Sequence, residues 1–210
     1  MDPSSTAMKR LIVGIAGASG AIYTERTLVA LAGTPHQVEI VPSKVGAEIF
    51  RQERGQQLAD FVKGLAGNGA RMRLWDSMDY YAPFSSGSQV YDGMAVVPCS
   101  GGALGRIAHG TSDDLLARAA DVCLKEGRPL VLVVRETPLS EIHLQNMLVA
   151  RRAGATILPA SPGFYSHPED LVELADSLVQ RILDHLCVDA RVFRRWRERA
   201  GDIRPRESVL

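Results

Sequence analysis

What the sequence has little of narrows the field first. No apolar run approaches the roughly 18 residues that a membrane-spanning helix needs, and Met1 to Arg10 lacks the apolar stretch of a secretory leader. A soluble, cytoplasmic protein with no membrane partner is expected. Cysteine is scarce: Cys99, Cys123 and Cys187 stand at no metal-ligand spacing, so neither a disulfide framework nor a zinc site follows, and all three read as small core residues. His109 and His143 have no second histidine or acid at ligand spacing, which makes them hydrogen-bonding groups and leaves no metal site. Net charge is absent, with 24 basic against 24 acidic side chains, and lysine is rare, at Lys9, Lys44, Lys63 and Lys125 only. Seven arginines crowd the last 20 residues, but only Phe193 and Trp196 interleave with them and the rest of the chain is neutral to acidic, so nucleic acid is not expected as a partner.

What is present suits one folded unit. At 210 residues, 46% hydrophobic and 23% charged, the chain is long enough for a single α/β domain with a substantial core. No internal repeat or low-complexity linker divides it. The domain is expected to span residues 1–210, with 1–8 and about 200–210 as flexible tails.

Apolar runs alternate with amphipathic stretches along the chain. Arg10 to Ala16 reads as a strand, stopped by Gly17 and Gly20, and Ala21 to Ala32 carries helical periodicity. A second strand, Gln37 to Val41, ends at Pro42, and Ser43 stands where it can cap the next helix. A polar helix and a glycine-rich loop (Gly64, Gly67, Gly69) lead to a short strand, Arg71 to Trp75. Tyr80 to Asp92 is a loop in which Tyr80, Tyr81 and Phe84 are candidates for an aromatic pocket. Met94 to Val97 is a buried strand ended by Pro98. Helices through Ile107 and from Leu115 to Lys125 follow, then a strand Leu130 to Val134, a helix Ser140 to Arg152, a strand Thr156 to Leu158 and a helix Glu169 to Leu186. Strands this apolar are buried on both faces, which predicts a single-domain, Rossmann-like, doubly wound parallel sheet of about six strands. In such sheets ligands bind beyond the carboxyl ends of the strands.

The residues just after each strand are therefore the ones to read. Gly17-Ala18-Ser19-Gly20 opens a helix whose free N–H groups would face an anion, though it is not a GxGxxG dinucleotide turn. Ser43-Lys44 and Ser100-Gly101-Gly102 open two more helices with small, hydroxyl-bearing residues, a set suited to a phosphate and a flat ring laid against backbone. Arg135-Glu136-Thr137-Pro138 sets a guanidinium and a carboxylate at another strand end. Glu53, by position alone, is a solvated surface acid, and Arg181 a surface arginine.

The stretches GASGAIY (Gly17 to Tyr23), SK (Ser43, Lys44), SSGS (Ser85 to Ser88), PCSGG (Pro98 to Gly102), RAADVCLKEGRPLVL (Arg118 to Leu132), RETPLSEIHLQNM (Arg135 to Met147) and PGFY (Pro162 to Tyr165) together resemble the flavin prenyltransferases of the UbiX type, once described as aromatic-acid decarboxylases. The resemblance runs in order from about Lys9 to Trp196. It implies a homo-oligomer, usually a dodecamer, that joins a dimethylallyl group from dimethylallyl phosphate to N5 and C6 of reduced FMN, without metal, and passes prenylated FMN to a UbiD-type decarboxylase. By motif, Gly17, Ala18, Ser19, Ser43, Ser100, Gly101, Gly102, Ala103 and Arg135 look like FMN contacts. Arg118, Lys125, Arg135, Tyr165 and Arg181 look like the prenyl-phosphate clamp, and Ser19, Glu53 and Glu136 like the groups that steer protons. Many relatives carry Thr where this chain has Ala16 or Ala103. Two other readings stand beside this one. A flavin-dependent cysteine-type decarboxylase of the same fold would carry an active-site His and a PASAN-like loop, not found here. A non-catalytic FMN-binding protein would have no use for Glu136, Lys125, Tyr165 and Arg181.

Overall fold

The computed structural model describes residues 7–195. Most of the two expected tails, and most of the arginine-rich end, lie outside the described residues.

Among the described residues six strands and seven α-helices follow one another: β1 (Arg10–Ile15), α1 (Ala21–Ala32), β2 (Gln37–Pro42), α2 (Lys44–Arg54), α3 (Leu58–Gly67), β3 (Arg71–Leu74), β4 (Gly93–Cys99), α4 (Gly101–Ala108), α5 (Leu115–Lys125), β5 (Leu130–Val134), α6 (Glu141–Arg152), β6 (Thr156–Pro159) and α7 (Leu171–His185). The sheet is parallel throughout, in the order β3-β2-β1-β4-β5-β6. This is the doubly wound arrangement that the apolar strands predicted, with the chain reversing direction between β1 and β4.

Alternation along each strand feeds two cores. Leu11, Val13, Ile15, Val38, Ile40, Val131 and Val133 face one side, where α1, α3 and α7 supply Leu28, Leu31, Val62, Val179 and Ile182. Ile12, Met94, Val96, Leu130 and Leu132 face the other, covered by α4, α5 and α6 through Leu104, Leu115, Leu116, Ala119 and Ala150. Burial is complete along β4 and β5 and partial along the edge strands β3 and β6. Arg26 of α1 and Asp176 of α7 form a two-pronged ion pair at 2.7 and 3.0 Å, with Asp176 buried, and so tie neighbouring helices of one layer together.

Four expectations are corrected here. β4 does not stop at Pro98 but runs to Cys99. The ladder shifts register between Val96 and Cys99, and this irregularity accommodates a residue without an N–H, while Pro98 O still accepts from Ala16 N–H at 3.1 Å. Gly64 and Gly67 lie inside α3 rather than in a loop, because Leu58, Val62 and Leu65 supply its buried stripe. Phe84 is not a pocket residue. It is buried in the core, edge-on to Trp75 and Tyr91, while Tyr81 is 98% exposed. Cys99 and Cys123 are core residues as expected, their thiols pushed up to about 12 by burial, but Cys187 is exposed.

Candidate active site

A cleft of about 350 Å³ opens at the carboxyl ends of the strands, at the reversal between β1 and β4. Gly17, Ser43, Lys44, Ser100, Gly102 and Ala103 line it, joined by Val45, Ser77, Met78, Arg106 and Asp114. Two helices start here, each capped by its own serine. Ser43 Oγ accepts from Gly46 N–H at 3.0 Å to begin α2, and Ser100 Oγ accepts from Ala103 N–H at 3.2 Å to begin α4. Close backbone approach demands the small residues. A methyl on Gly17 would lie 2.7 Å from Val45 Cγ1, and one on Gly46 would lie 2.3 Å from Ile15 O, so α2 is seated directly on the end of β1.

That seating leaves Glu53 exposed, as its position suggests, but gives it partners that spacing alone does not reveal. α2 lies across the carboxyl edge instead of running back along the sheet, and its far end brings Glu53 to the start of α1. Glu53 Oε2 accepts from Gly20 N–H at 2.9 Å and from Ala21 N–H at 2.7 Å. Burial works to raise the Glu53 pKa, but hydrogen bonds from Ser19, Ala21 and Gly20 and the nearby Arg135 charge outweigh it and hold the carboxyl below its ordinary value. The last donor of the Gly17 to Gly20 turn, expected to face an anion, and the first of α1 are thus already taken by a carboxylate. The cleft's remaining positive groups are Lys44 and Arg106. Arg106 lies 3.3 Å from Asp113 and 3.4 Å from Asp114, and its buried Nε makes no hydrogen bond.

Arg135 and Glu136 follow β5 directly. Arg135 N–H donates to Cys99 O at 3.0 Å, which fixes the turn, and Glu136 Oε1 accepts from Thr137 N–H at 3.2 Å. Glu136 Oε2 and His143 Nε2 both lie against Gly101, whose missing side chain makes room for them.

The five residues expected to clamp a prenyl phosphate do not converge within one chain. Only Arg135, at the end of β5, stands close enough to Glu53 for its charge to act on that carboxyl. Arg118 is bound to Asp121 at 2.8 Å and to Ser85 O at 3.0 Å on the flank of α5. Lys125 ends α5, paired with Glu126 beside the loop that enters β5, at the opposite edge of the sheet. Tyr165 lies after β6, its ring over Gly163. Arg181 is ten residues into α7, roughly 15 Å along a helix that descends from the carboxyl edge, and pairs with Asp184 at 3.4 Å. The cleft residues Ser77, Arg106 and Asp114 escaped the sequence reading. Asp114 carried a signal, an aspartate just before the apolar helix from Leu115, and it does cap that helix by accepting from Ala117 N–H at 2.7 Å. Arg106 carried one too, four residues after Gly102 and so on the same helix face.

Among the described residues no group of three or more His, Cys, Asp or Glu is placed to hold a metal ion, and no helix is long and apolar enough to cross a membrane. A parallel doubly wound sheet with a small-residue cleft and capped helix starts at its reversal is the architecture of a nucleotide- or flavin-binding protein. The flavoprotein family model matches residues 2–183. The chain is 46% identical over 198 residues to the flavin prenyltransferase UbiX of Deinococcus radiodurans, covering 94% of this chain and 98% of that protein. It is 44% identical over 188 residues to the mitochondrial flavin prenyltransferase PAD1 of Saccharomyces cerevisiae, covering 90% and 75%. A structure of AnUbiX in complex with FMN and dimethylallyl pyrophosphate superposes with a TM-score of 0.85 at 42% identity, over 91% of this chain and 99% of that one. A dodecameric FMN-dependent UbiX-like decarboxylase from Escherichia coli O157:H7 superposes with a TM-score of 0.83 at 41% identity, over 90% and 100%. The peptidyl-cysteine decarboxylase EpiD, at 16% identity and a TM-score of 0.59, shares the fold. The chain belongs to the UbiX-type flavin prenyltransferases.

Proposed function

We propose that this protein transfers a dimethylallyl group from dimethylallyl phosphate to N5 and C6 of reduced FMN, and that the flavin occupies the cleft between Gly17, Ser43 and Ser100. The observation that carries the reading is the placement of two serine-capped helix starts, Glu53, Arg135 and Glu136 at one strand edge, in a chain of this family. The cleft fits the flavin nucleotide. The N-terminal N–H groups of α2 and α4, with Lys44 and Arg106, suit a phosphate, and Gly17, Gly102 and Ala103 leave backbone exposed to a planar ring. Reduced flavin supplies an electron-rich N5 and C6. The chain's own part is to draw off the leaving phosphate, exclude water and take a proton.

The leaving phosphate is stabilised by cations. Each charge-assisted hydrogen bond from Arg or Lys contributes roughly 1.5–3 kcal/mol, so a set of three or four lowers the barrier substantially. Arg135 is in place within the chain. Lys125, Tyr165 and Arg181, with Arg118 nearby, reach the phosphate from neighbouring copies in a homo-oligomer. The support for this is their dispersal in the single chain, the dodecameric relative, and the apolar side chains that α6 leaves exposed, Ile142, Leu144 and Leu148. The first bond releases the N5 proton, and closure at C6 adds a proton to the internal carbon of the prenyl double bond and releases the C6 proton; Glu136 takes the proton that leaves C6. Glu53 and Ser19, hydrogen-bonded to each other at the start of α1, hold the flavin edge and its N5 proton. The product serves a UbiD-type decarboxylase in the cytoplasm.

Anaerobic incubation of the purified protein with reduced FMN and dimethylallyl phosphate in chelator, followed by mass spectrometry of the extracted flavin, tests this. The expected result is flavin heavier by one five-carbon prenyl unit. Unmodified flavin with both the monophosphate and the pyrophosphate donor would overturn it.

A further inference from the structure

Glu136 and His143 come from different elements, the turn after β5 and the first turn of α6, and meet over Gly101 at the start of α4. A methyl group on Gly101 would lie 2.8 Å from His143 Nε2 and 3.1 Å from Glu136 Oε2. The absence of a side chain is thus what lets an imidazole edge and a carboxylate share that face.

The state of the imidazole follows from the bond on its other side. Ser140 N–H donates to His143 Nδ1 at 3.2 Å, and His143 N–H donates to Ser140 Oγ at 3.3 Å, a reciprocal cap at the start of α6. A backbone N–H can only donate, so Nδ1 presents its lone pair and the ring proton sits on Nε2. The cap therefore fixes both the orientation of the ring and its tautomer. It leaves an N–H donor on the side of Gly101 where Glu136 Oε2 lies. The other Glu136 oxygen is already occupied by Thr137 N–H. His143 and Glu136 are not hydrogen-bonded to each other as they stand, which is common for acid–base partners before substrate binds.

We infer that His143 is a positioning residue for Glu136, its Nε2–H drawing the carboxylate over Gly101 into the place from which it accepts the proton. The inference rests on the proposed role of Glu136. It assigns a purpose to a histidine that the sequence marks only as a hydrogen-bonding group, and to a cap that would otherwise serve α6 alone.

Two substitutions separate the capping and positioning roles. His143→Asn keeps an acceptor close to the position of Nδ1 and removes the distal donor. His143→Gln places an amide N–H close to the position of Nε2. Turnover of reduced FMN and dimethylallyl phosphate should fall about tenfold to a hundredfold in kcat for His143→Asn, the range of one charge-assisted hydrogen bond. KM for the prenyl phosphate, FMN affinity and melting temperature should stay close to those of the parent. His143→Gln should recover most of the loss. In a Glu136→Gln background, His143→Asn should add nothing, since its effect runs through the carboxylate. The inference is overturned by kcat within about twofold of the parent in His143→Asn, by losses that multiply in the double variant, or by a loss that follows melting temperature and is not recovered in His143→Gln. A parent enzyme that leaves FMN unmodified sinks the prenylation reading itself, and this inference with it, before any variant is made. An active parent with an unimpaired Glu136→Gln variant sinks only this inference and the proton role it depends on.

Discussion

The two edges of the sheet hold their polar groups in different ways. At the carboxyl edge, side chains are anchored to backbone: Ser43 and Ser100 cap α2 and α4, and Glu53 takes the N–H groups of Gly20 and Ala21. On the flanks and at the amino edge, side chains are anchored mainly to one another in short-range, solvent-accessible pairs, Arg118 with Asp121, Lys125 with Glu126 and Arg181 with Asp184, although Arg118 also donates to Ser85 O. Exposed ion pairs contribute only about 0–1 kcal/mol, because solvent screens them and two long side chains must be ordered. The carboxyl edge is a preformed seat for a rigid ligand, whereas the second set of groups is loosely held and free to be drawn to a charge on another chain.

The largest expected effect comes from the preformed edge. Glu136→Gln should retain FMN and prenyl phosphate yet lower kcat by roughly 10² to 10⁴, the range of a positioned acid–base group. Single-turnover formation of prenylated flavin is the measurement, and a loss of less than about threefold on that scale would make Glu136 structural. Next comes separation of the two edges by breaking the assembly. Leu148→Asp on the exposed face of α6 should shift the protein to smaller species in analytical ultracentrifugation. Turnover should drop about a hundredfold, as contacts to the phosphate are lost, while FMN still binds. Full activity in a dispersed monomer would place the whole clamp within one chain, against the geometry.

Arg181→Ala should act on one substrate only, raising KM for dimethylallyl phosphate about tenfold or more with FMN affinity unchanged. Tyr165→Phe should do the same more weakly, since a neutral hydroxyl is the poorer donor. An unaltered KM in Arg181→Ala would return that residue to its pair with Asp184. The smallest effect is electrostatic. Because the Glu53 carboxyl is held below its ordinary value in the fold, its contribution to stability is complete above the unfolded carboxylate pKa and disappears as pH falls through the folded one. The parent should therefore lose melting temperature more steeply with acid than Glu53→Gln does, and parallel curves would show that the Gly20 and Ala21 contacts carry no net charge effect.

Much of this was legible in the residues. Strands β1, β2 and β5 were apparent because continuous Val, Ile and Leu runs bounded by glycine or proline admit few other structures, and α5 was found end to end because Leu115 to Lys125 is amphipathic throughout. The Ser43 cap is legible for the same local reason, whereas Ser100 reads only as a small residue opening a helix and its cap on Ala103 comes from the structure. Glu53 was not, because nothing local reveals that α2 lies across the strand ends. That follows from Gly46 meeting Ile15 O, a contact between elements 31 residues apart in the chain. The dispersal of Lys125 and Arg181 is equally invisible, since motif order says which residues recur together and nothing about where the fold puts them. Phe84 misled because an aromatic in a polar loop looks available until Trp75 and Tyr91 are seen to enclose it.

The carboxylate at the start of α1 has a consequence for the enzyme as a machine that empties itself. An enzyme whose flavin is a substrate must release it at every turn and wait for the next, so a fold that relied on the flavin phosphate to complete its first helix would fray each time the product left. Here the first turn of α1 carries its own permanent counterion, supplied by α2, and the Gly20 and Ala21 donors stay satisfied whether the cleft is loaded or vacant. The cost of ordering this end of the helix is then met within the chain, during folding, and not charged against the affinity for an incoming flavin.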